Sequence, residues 1–237
     1  MNTSNLDPAE RDRFNELASS WWDPQGESKP LHDLNPARLR YIRDRATLAG
    51  AAVVDVGCGG GLLSEGMAAM GARVTGLDVA RRALDVARLH LHESQLEVDY
   101  VETTVEAYAD DHAGTFDVVT CLEMIEHVPD PVSVVAACAR LLKPGGQAFF
   151  STLNRTPVAF ALAIVGAEHV MRMLPRGTHR YDRFIRPSEL SAWLRRAGLE
   201  VHEVTGLHYN PLSGTVRTGG RLDVNYLVHA SRPVAAP

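Results

Sequence analysis

One short stretch sets the architecture of this chain: Val53-Val54-Asp55-Val56-Gly57-Cys58-Gly59-Gly60-Gly61. Its apolar, β-branched beginning is typical of a buried strand, and its glycines let a turn bring backbone close to a ligand. The residues after it have helical character, so the first amides of that helix would face the turn and favour a negative group. The stretch therefore predicts a strand, a tight turn and a helix that together hold a cofactor.

The residues that follow the turn separate three kinds of cofactor site. A phosphate-binding P-loop needs Gly-Lys-Ser/Thr, but Leu62-Leu63 stand there, which excludes it. A dinucleotide fingerprint needs a third glycine at position 62, and its absence weakens that reading without excluding it. A second strand, near 72–77, ends at Asp78, about twenty residues after Gly57, where a ribose-binding acid is expected. Asp78 is thus the strongest binding candidate, and a solvated aspartate at a strand end is its alternative.

Two motifs carry a resemblance to a known family. Asp55-x-Gly57-x-Gly59-Gly60-Gly61 and Val74-x-Gly76-x-Asp78 resemble the nucleotide-binding half of the class I S-adenosylmethionine-dependent methyltransferases. The resemblance implies S-adenosyl-L-methionine as the methyl donor. It also implies that the turn, with Asp55, Gly57 and Gly59, holds the methionine portion, and that Asp78 holds both ribose hydroxyls.

Length and composition limit the function classes. The 237 residues are 45% hydrophobic and 22% charged, which predicts a single globular domain over 1–237. The net charge of −5 gives no electrostatic reason to expect nucleic acid as a partner. Three cysteines without metal-type spacing, a polar beginning without a signal-peptide core and no run of roughly eighteen apolar residues predict a cytoplasmic location.

Strand and helix patterns alternate after residue 51. Strands are expected near 51–56, 72–77, 97–102, 116–121 and 146–152, and helices near 62–70, 80–93 and 132–142. This order predicts a Rossmann-like, doubly wound, mainly parallel α/β sheet. Two further strands, near 199–205 and 222–230, have no helix between them and predict an antiparallel hairpin at the sheet edge. The family resemblance implies seven strands, the last of them antiparallel.

Residues 1–48 are expected to form an N-terminal helical cap. Asp7-Pro8-Ala9-Glu10 is a strong helix start, and Phe14 and Trp21 lie on an apolar stripe that must dock against another element. Trp21-Trp22 is interpreted either as a packing anchor or as a lid over the cofactor. A second helix is predicted to start near Asn35-Pro36, and the family resemblance implies that its Arg38 contacts the methyl donor.

The segment after the fourth strand is expected to carry the chemistry, because ligands of open α/β sheets bind beyond the carboxyl ends of the strands. Its sequence is Leu122-Glu123-Met124-Ile125-Glu126-His127. His127 is the predicted catalytic base for a phenol, and Glu126 is the fallback. Two alternatives stay open: a Mg²⁺ site made by Glu123, Glu126 and His127, and a histidine that is merely solvated or caps a helix. The resemblance implies that Leu122 contacts the donor.

An unusual apolar segment is inserted after the fifth strand. Residues 155–187 combine an apolar stretch, Pro157 to Leu174, with five arginines and one nearby acid, Asp182. This pattern predicts either a lid helix or a helix on an anionic membrane surface, peripheral to the inner face of the cytoplasmic membrane. Both suit an apolar substrate. The arginines are Arg172, Arg176, Arg180, Arg183 and Arg186.

Longer motifs narrow the resemblance. Ser151-Thr152-Leu153-Asn154-Arg155 and Thr205-Gly206-Leu207-His208-Tyr209-Asn210-Pro211 resemble the O-methyltransferases of ubiquinone biosynthesis, and the likeness extends from Phe14 to His229. It implies O-methylation of a polyprenyl phenol, 2-polyprenyl-6-hydroxyphenol, and of 3-demethylubiquinol, with other enzymes of the same pathway as partners.

Three alternative functions remain on the sequence alone. The first is a methyltransferase with a different lipophilic acceptor. A nicotinamide-dependent reductase is the second, disfavoured because no Tyr-x-x-x-Lys pair occurs in the chain. The third is a catalytically silent lipid-binding module, which would not need Asp78.

Overall fold

The computed structural model describes residues 5–162 and 180–234. The helices of these residues are α1 (Pro8–Leu17), α2 (Lys29–Arg43), α3 (Leu62–Ala68), α4 (Arg81–Ser94), α5 (Val105–Asp111), α6 (Pro131–Leu141), α7 (Pro157–Ala159) and α8 (Pro187–Arg196). Short 3₁₀ turns lie at Ala18–Ser20, Ile125–His127 and Tyr181–Arg183. The strands are β1 (Ala52–Val56), β2 (Arg73–Asp78), β3 (Val98–Glu102), β4 (Phe116–Leu122), β5 (Leu142–Leu153), β6 (Glu200–Asn210), β7 (Thr215–Thr218) and β8 (Asn225–Ser231).

All the described strands form one sheet, in the order β3-β2-β1-β4-β5-β8-β6-β7. The first five strands are parallel, and β8 lies antiparallel between β5 and β6. The predicted mainly parallel α/β sheet with an antiparallel last strand is therefore confirmed. The sheet has eight strands rather than seven, because the short β7 pairs antiparallel with β6 at the edge. It lies in the connection between the two predicted C-terminal strands, for which the sequence pattern predicts no strand.

Both faces of the sheet are covered, as the apolar run before the glycine turn requires. Val53 and Val54 are completely buried and point to opposite faces. Val53 belongs to an apolar cluster with Met67 of α3, and Val54 to a second cluster with Val134 of α6 and Leu190 of α8. The sheet between these two layers fixes the ends of β1, β2 and β4 at one edge, where the candidate site lies.

The second helix begins earlier than predicted. It starts at Lys29 with Pro30 in its first turn, and Pro36 lies inside it. Proline suits the first helical turn, where its missing N–H costs nothing, and Pro30 supplies that signal before Pro36 does. This start was missed. Arg38, which the resemblance implies contacts the methyl donor, is buried, whereas Arg40 and Arg43 on the same helix are exposed.

The N-terminal helix docks on the edge of the candidate site. The Asp7 side chain accepts a hydrogen bond from the Ala9 amide at 3.1 Å, so the predicted N-cap is confirmed. Phe14 of this helix packs against a buried cluster that contains Ala80 and Ala83, at the start of α4. The apolar stripe therefore places α1 over the carboxyl end of β2.

Most of the predicted inserted segment lies outside the described residues, Arg172 and Arg176 included. Within the described part, Arg180 pairs with Asp182 at 2.8 Å, and Arg183 pairs with Asp7 at 2.7 Å. The expectation of a single nearby acid was wrong, because folding brings Asp7 from the other end of the chain. No helix in 5–162 or 180–234 combines the length and the apolar character needed to cross a bilayer.

A histidine on β8 makes the stability of this fold depend on pH. Burial lowers the pKa of His229 from 6.5 to about 4; His202 and Arg45 act in the same direction, and Glu203 opposes them. The unfolded chain regains a pKa near 6.5 and takes up the proton first as the pH falls. We expect the free energy of unfolding to decrease between pH 6.5 and 4. The decrease is at most about 3 kcal/mol, less whatever solvent screens around this part-exposed ring.

Thermal unfolding of the wild type and His229→Gln between pH 7 and 4.5 measures this contribution. The variant has no proton to take up at this position, so its Tm should fall less steeply with acid than that of the wild type. Equal slopes for the two proteins would contradict the assignment.

Candidate functional site

A cavity of about 730 Å³ opens at the carboxyl ends of the central strands, a size typical of small-molecule sites. The first described helices, α1 and α2, contribute to its wall. The structure brings the predicted donor-binding and catalytic residues together around this one space. The lining includes Arg38, Asp55, Gly57, Gly59, Asp78, Leu122, Glu123, Glu126 and His127.

Asp78 ties the end of β2 to the glycine turn. Its carboxylate accepts hydrogen bonds from the amides of Gly59 and Ala80, each at 2.8 Å. Burial raises the pKa of Asp78, and the hydrogen bonds from these amides counteract part of that effect. A carboxylate has about four acceptor positions, so the hydrogen bonds from Gly59 and Ala80 leave capacity for hydroxyl groups of a ligand in the cavity.

Asp55 is braced on both sides by the protein. It is 3% exposed, and its two oxygens accept hydrogen bonds from Ser64 at 2.6 Å and Thr120 at 2.7 Å. Burial raises the pKa of Asp55, although the two hydroxyl groups oppose this rise. These contacts connect β1 to α3 and β4 directly beneath the turn. Contact between Asp55 and the donor stays a prediction.

The glycines of the turn make room for side chains of the chain itself. Gly57 and Gly59 have φ values of +72° and +54°, which favour glycine, and a Cβ on Gly57 would lie 2.3 Å from Met124 Cγ. A Cβ on Gly59 would lie 2.2 Å from Cζ2 of Trp21. Sequence reasoning assigned this close approach to a ligand and did not foresee that Trp21 makes it.

Arg38 is a buried cation whose hydrogen-bonding capacity is only partly used. It is 6% exposed, and its Nη2 lies 3.3 Å from Oε1 of Glu123. Its Nε and Nη2 have no well-formed hydrogen bond to any group in the described residues. A guanidinium in this state complements a carboxylate, and the amino-acid end of S-adenosylmethionine carries one. The predicted donor therefore fits this side of the cavity.

Two glutamates lie beyond the end of β4 in different surroundings. Glu123, at φ +54°, accepts hydrogen bonds from Ser151 and, at 3.0 Å, from Asn225. Glu126 is 4% exposed, and its Oε2 has no hydrogen-bond partner in the described residues. Burial raises the pKa of Glu126 to about 7, and the nearby charge of Glu123 adds to the effect.

His127 is held by a residue that sequence reasoning did not connect with it. Its Nδ1 lies 3.0 Å from Oε2 of Glu10 on α1, which Arg13 also contacts. Burial would raise the pKa of Glu10, but the hydrogen bonds from His127 and Arg13 outweigh it, and the pKa is lowered. The ionised carboxylate can only accept, so Nδ1 carries the proton and Nε2 of neutral His127 keeps a lone pair. No sequence signal links positions 10 and 127.

The predicted Mg²⁺ ligands are not gathered as a ready site. No three His, Cys, Asp or Glu side chains in the described residues are grouped so as to hold a metal ion. Glu123 faces Arg38, and Nδ1 of His127 faces Glu10. The Mg²⁺ set stays a prediction, and it would require these groups to rearrange.

The sequence places the chain among methyltransferases. A profile described as a methyltransferase domain matches residues 31–204. The ubiquinone biosynthesis O-methyltransferase of Marinobacter nauticus is 60% identical over 232 residues, which cover 97% of this chain and 98% of that protein. The protein of the same name from Nitrosococcus oceani is 57% identical over 96% of this chain and 97% of its own.

Solved structures of low sequence identity share the fold. The magnesium protoporphyrin IX methyltransferase of Synechocystis, with bound SAH, superposes with a TM-score of 0.67 at 18% identity, covering 94% of this chain and 97% of that one. An S-adenosylmethionine-dependent methyltransferase from Methanosarcina mazei gives a TM-score of 0.62 at 17% identity, with coverage of 85% and 99%. At these identities the likeness concerns the fold alone.

Proposed function

This chain belongs to the family of ubiquinone biosynthesis O-methyltransferases, and from that premise we propose that it methylates the phenolic oxygen of 2-polyprenyl-6-hydroxyphenol and of 3-demethylubiquinol. S-adenosylmethionine is the methyl donor. The observation that carries the site assignment is one cavity lined by Asp78, Arg38 and His127. The first two groups suit the donor, and the third suits the proton of the acceptor.

The reaction is an in-line displacement. The acceptor oxygen attacks the methyl carbon, the bond between that carbon and the donor sulfur breaks, and the phenolic proton leaves to a base. A phenol, with a pKa near 10 by analogy with tyrosine, is mostly protonated at neutral pH, so a nearby base assists the attack. Nε2 of His127 supplies that base, and Glu126 is the alternative. Most of the remaining rate enhancement comes from holding both partners close and aligned.

On the side of the methyl donor, Asp78 accepts hydrogen bonds from the ribose hydroxyls, and Arg38 pairs with the amino-acid carboxylate of S-adenosylmethionine. Leu122 and the turn residues Gly57 and Gly59 shape the wall around the donor. Hydrogen bonds from two backbone amides fix the Asp78 carboxylate before the methyl donor arrives. Little conformational entropy of this side chain is therefore lost on binding.

Methyl transfer from S-adenosylmethionine to a short-chain polyprenyl catechol tests the function. We expect an O-methylated product and S-adenosylhomocysteine in equal amounts. Oxidation of NADH by the purified protein without methyl transfer would favour the reductase instead. Absence of both reactions, together with no donor binding, would favour the lipid-binding module.

Glu10→Gln tests the orientation of His127. A neutral amide loses the charge that fixes the Nδ1 proton, so we expect kcat to fall by about 10-fold while the affinity for the donor stays unchanged. Glu16→Gln, an exposed site on the same helix, is the matched control and should behave like the wild type. Equal kcat values for Glu10→Gln and Glu16→Gln would remove Glu10 from the site.

Mg²⁺ held by Glu123, Glu126 and His127 is the alternative way to orient the acceptor, since carboxylate oxygens suit this ion. A chelator decides between the two arrangements. An unchanged rate in its presence would remove the metal. A rate that is lost with the chelator and restored by Mg²⁺ would show that these three residues act as metal ligands rather than as a catalytic base.

The chain is further proposed to meet its acceptor at an anionic membrane surface. Val158, Phe160 and Leu162 are 45%, 43% and 56% exposed at the described start of the inserted segment, which supports contact with lipid. Co-sedimentation with phosphatidylglycerol vesicles, but not with phosphatidylcholine vesicles, is the expected result. Binding to neither would contradict the proposal. Association with other enzymes of the pathway stays a prediction.

A further inference from the structure

Two adjacent tryptophans near the glycine turn differ in how their indole N–H groups are used. Nε1 of Trp22 donates to the carbonyl of Gly60 at 2.9 Å. Its ring stacks on His90 with 3.4 Å between ring centroids and 3° between planes. Nδ1 of His90 lies 2.9 Å from both carboxylate oxygens of buried Glu65. Trp22 therefore has protein partners for both its ring and its polar atom, and it anchors the segment.

Trp21 is the opposite case. It is 8% exposed, it lines the cavity, and its Nε1 has no hydrogen-bond partner in the described residues. An indole nitrogen is a donor only, so it needs an acceptor. Buried indole N–H groups nearly always have an acceptor, so an unused donor in a cavity wall points to a ligand that supplies one.

The indole N–H of Trp21 lies beside the residues predicted to bind the methyl donor. Its ring lies on Gly59 and Gly60, where an added Cβ would be 2.2 Å and 2.3 Å from ring atoms. The amide of Gly59 donates a hydrogen bond to Asp78, the residue proposed to bind the ribose. The indole of Trp21 therefore lies against the glycine that holds Asp78 in place. The ring of His32 holds the Trp21 carbonyl at 2.9 Å.

We propose that Trp21 is a further binding residue for the methyl donor. Its indole N–H donates a hydrogen bond to an acceptor atom of the donor, and its ring closes the cavity over the glycine turn. The inference rests on the proposed function, because it takes the ligand of this cavity to be S-adenosylmethionine. It also separates the roles of the pair: Trp21 contacts the ligand, and Trp22 anchors the segment that carries it.

Titration with S-adenosylhomocysteine tests the proposal by calorimetry and by fluorescence. Trp21→Phe keeps an aromatic ring but removes the indole N–H, so its Kd should rise about 10-fold, and thermal unfolding checks that the variant is folded. Trp193→Phe, on α8, is the matched control and should keep the wild-type Kd. The chain has three tryptophans, so the double variant Trp22→Phe/Trp193→Phe reports Trp21 alone. Its emission should change saturably with S-adenosylhomocysteine.

The outcomes separate this inference from the function on which it rests. A wild type that does not bind S-adenosylhomocysteine would contradict the proposed function, and the inference with it. If the wild type binds, a Kd within twofold for Trp21→Phe together with unchanged Trp21 emission would contradict the inference alone, and Trp21 would then be a packing anchor. The emission of the double variant decides the question even if Trp21→Phe fails to fold.

Discussion

Replacing Asp78 with asparagine is expected to weaken the binding of S-adenosylmethionine by about 100-fold. The carboxylate is proposed to accept two hydrogen bonds from the ribose, and hydrogen bonds to a charged group contribute about 1.5–3 kcal/mol each. Asparagine is neutral and keeps only one acceptor oxygen. That oxygen can accept from the Gly59 amide or from the ligand. Losing about 3 kcal/mol corresponds to roughly a hundredfold change in Kd.

Asp99→Asn is the matched control for this prediction. Asp99 is exposed on β3, where it pairs in register with Thr75 of β2, three residues before Asp78. Calorimetry should give a wild-type Kd for Asp99→Asn, and thermal unfolding should show that both variants are folded. A folded Asp78→Asn protein that binds the donor as tightly as the wild type would remove Asp78 from the site.

Replacing His127 with glutamine is expected to lower kcat for methyl transfer by about 100-fold or more. General bases contribute roughly 10²–10⁴ to rates, and a glutamine side chain cannot take up the phenolic proton. The affinity for S-adenosylmethionine should change little, since Asp78 and Arg38 are proposed to make its polar contacts. Single-turnover rates, measured with the donor saturating, separate the chemical step from binding.

The control for His127→Gln is His92→Gln, which changes an exposed histidine near the end of α4. It should leave the rate unchanged. If His127→Gln retains the wild-type rate and Glu126→Gln loses it, Glu126 is the base. The raised pKa of about 7 makes Glu126 the natural second candidate.

Local patterns predicted the parts of the fold that depend on local physics. The apolar run before Gly57 identified β1 because a strand buried on both faces needs apolar residues at successive positions. Asp7 identified the start of α1 because its side chain caps an amide two residues away. Arg38 was selected by the family resemblance rather than by a local pattern, and the structure buries it.

The parts that were missed depend on contacts between distant residues. The pairing of Glu10 with His127 joins positions separated by 117 residues, and the pairing of Asp7 with Arg183 joins positions separated by 176. A proline signal misplaced the start of α2, since Pro30 and Pro36 both suit a first helical turn. The glycines of the turn were interpreted as a close approach of backbone to a ligand, and that contact stays a prediction. Sequence alone did not reveal that Trp21 lies against Gly59.

One cavity is proposed to hold the nucleoside of the methyl donor between Gly57 and Asp78. A crystal structure of the chain with S-adenosylhomocysteine tests it directly. We expect the ribose hydroxyls on the Asp78 carboxylate, the amino-acid carboxylate at Arg38 and the sulfur on the side of His127. A nucleoside bound at a surface remote from Gly57 and Asp78 would contradict the claim.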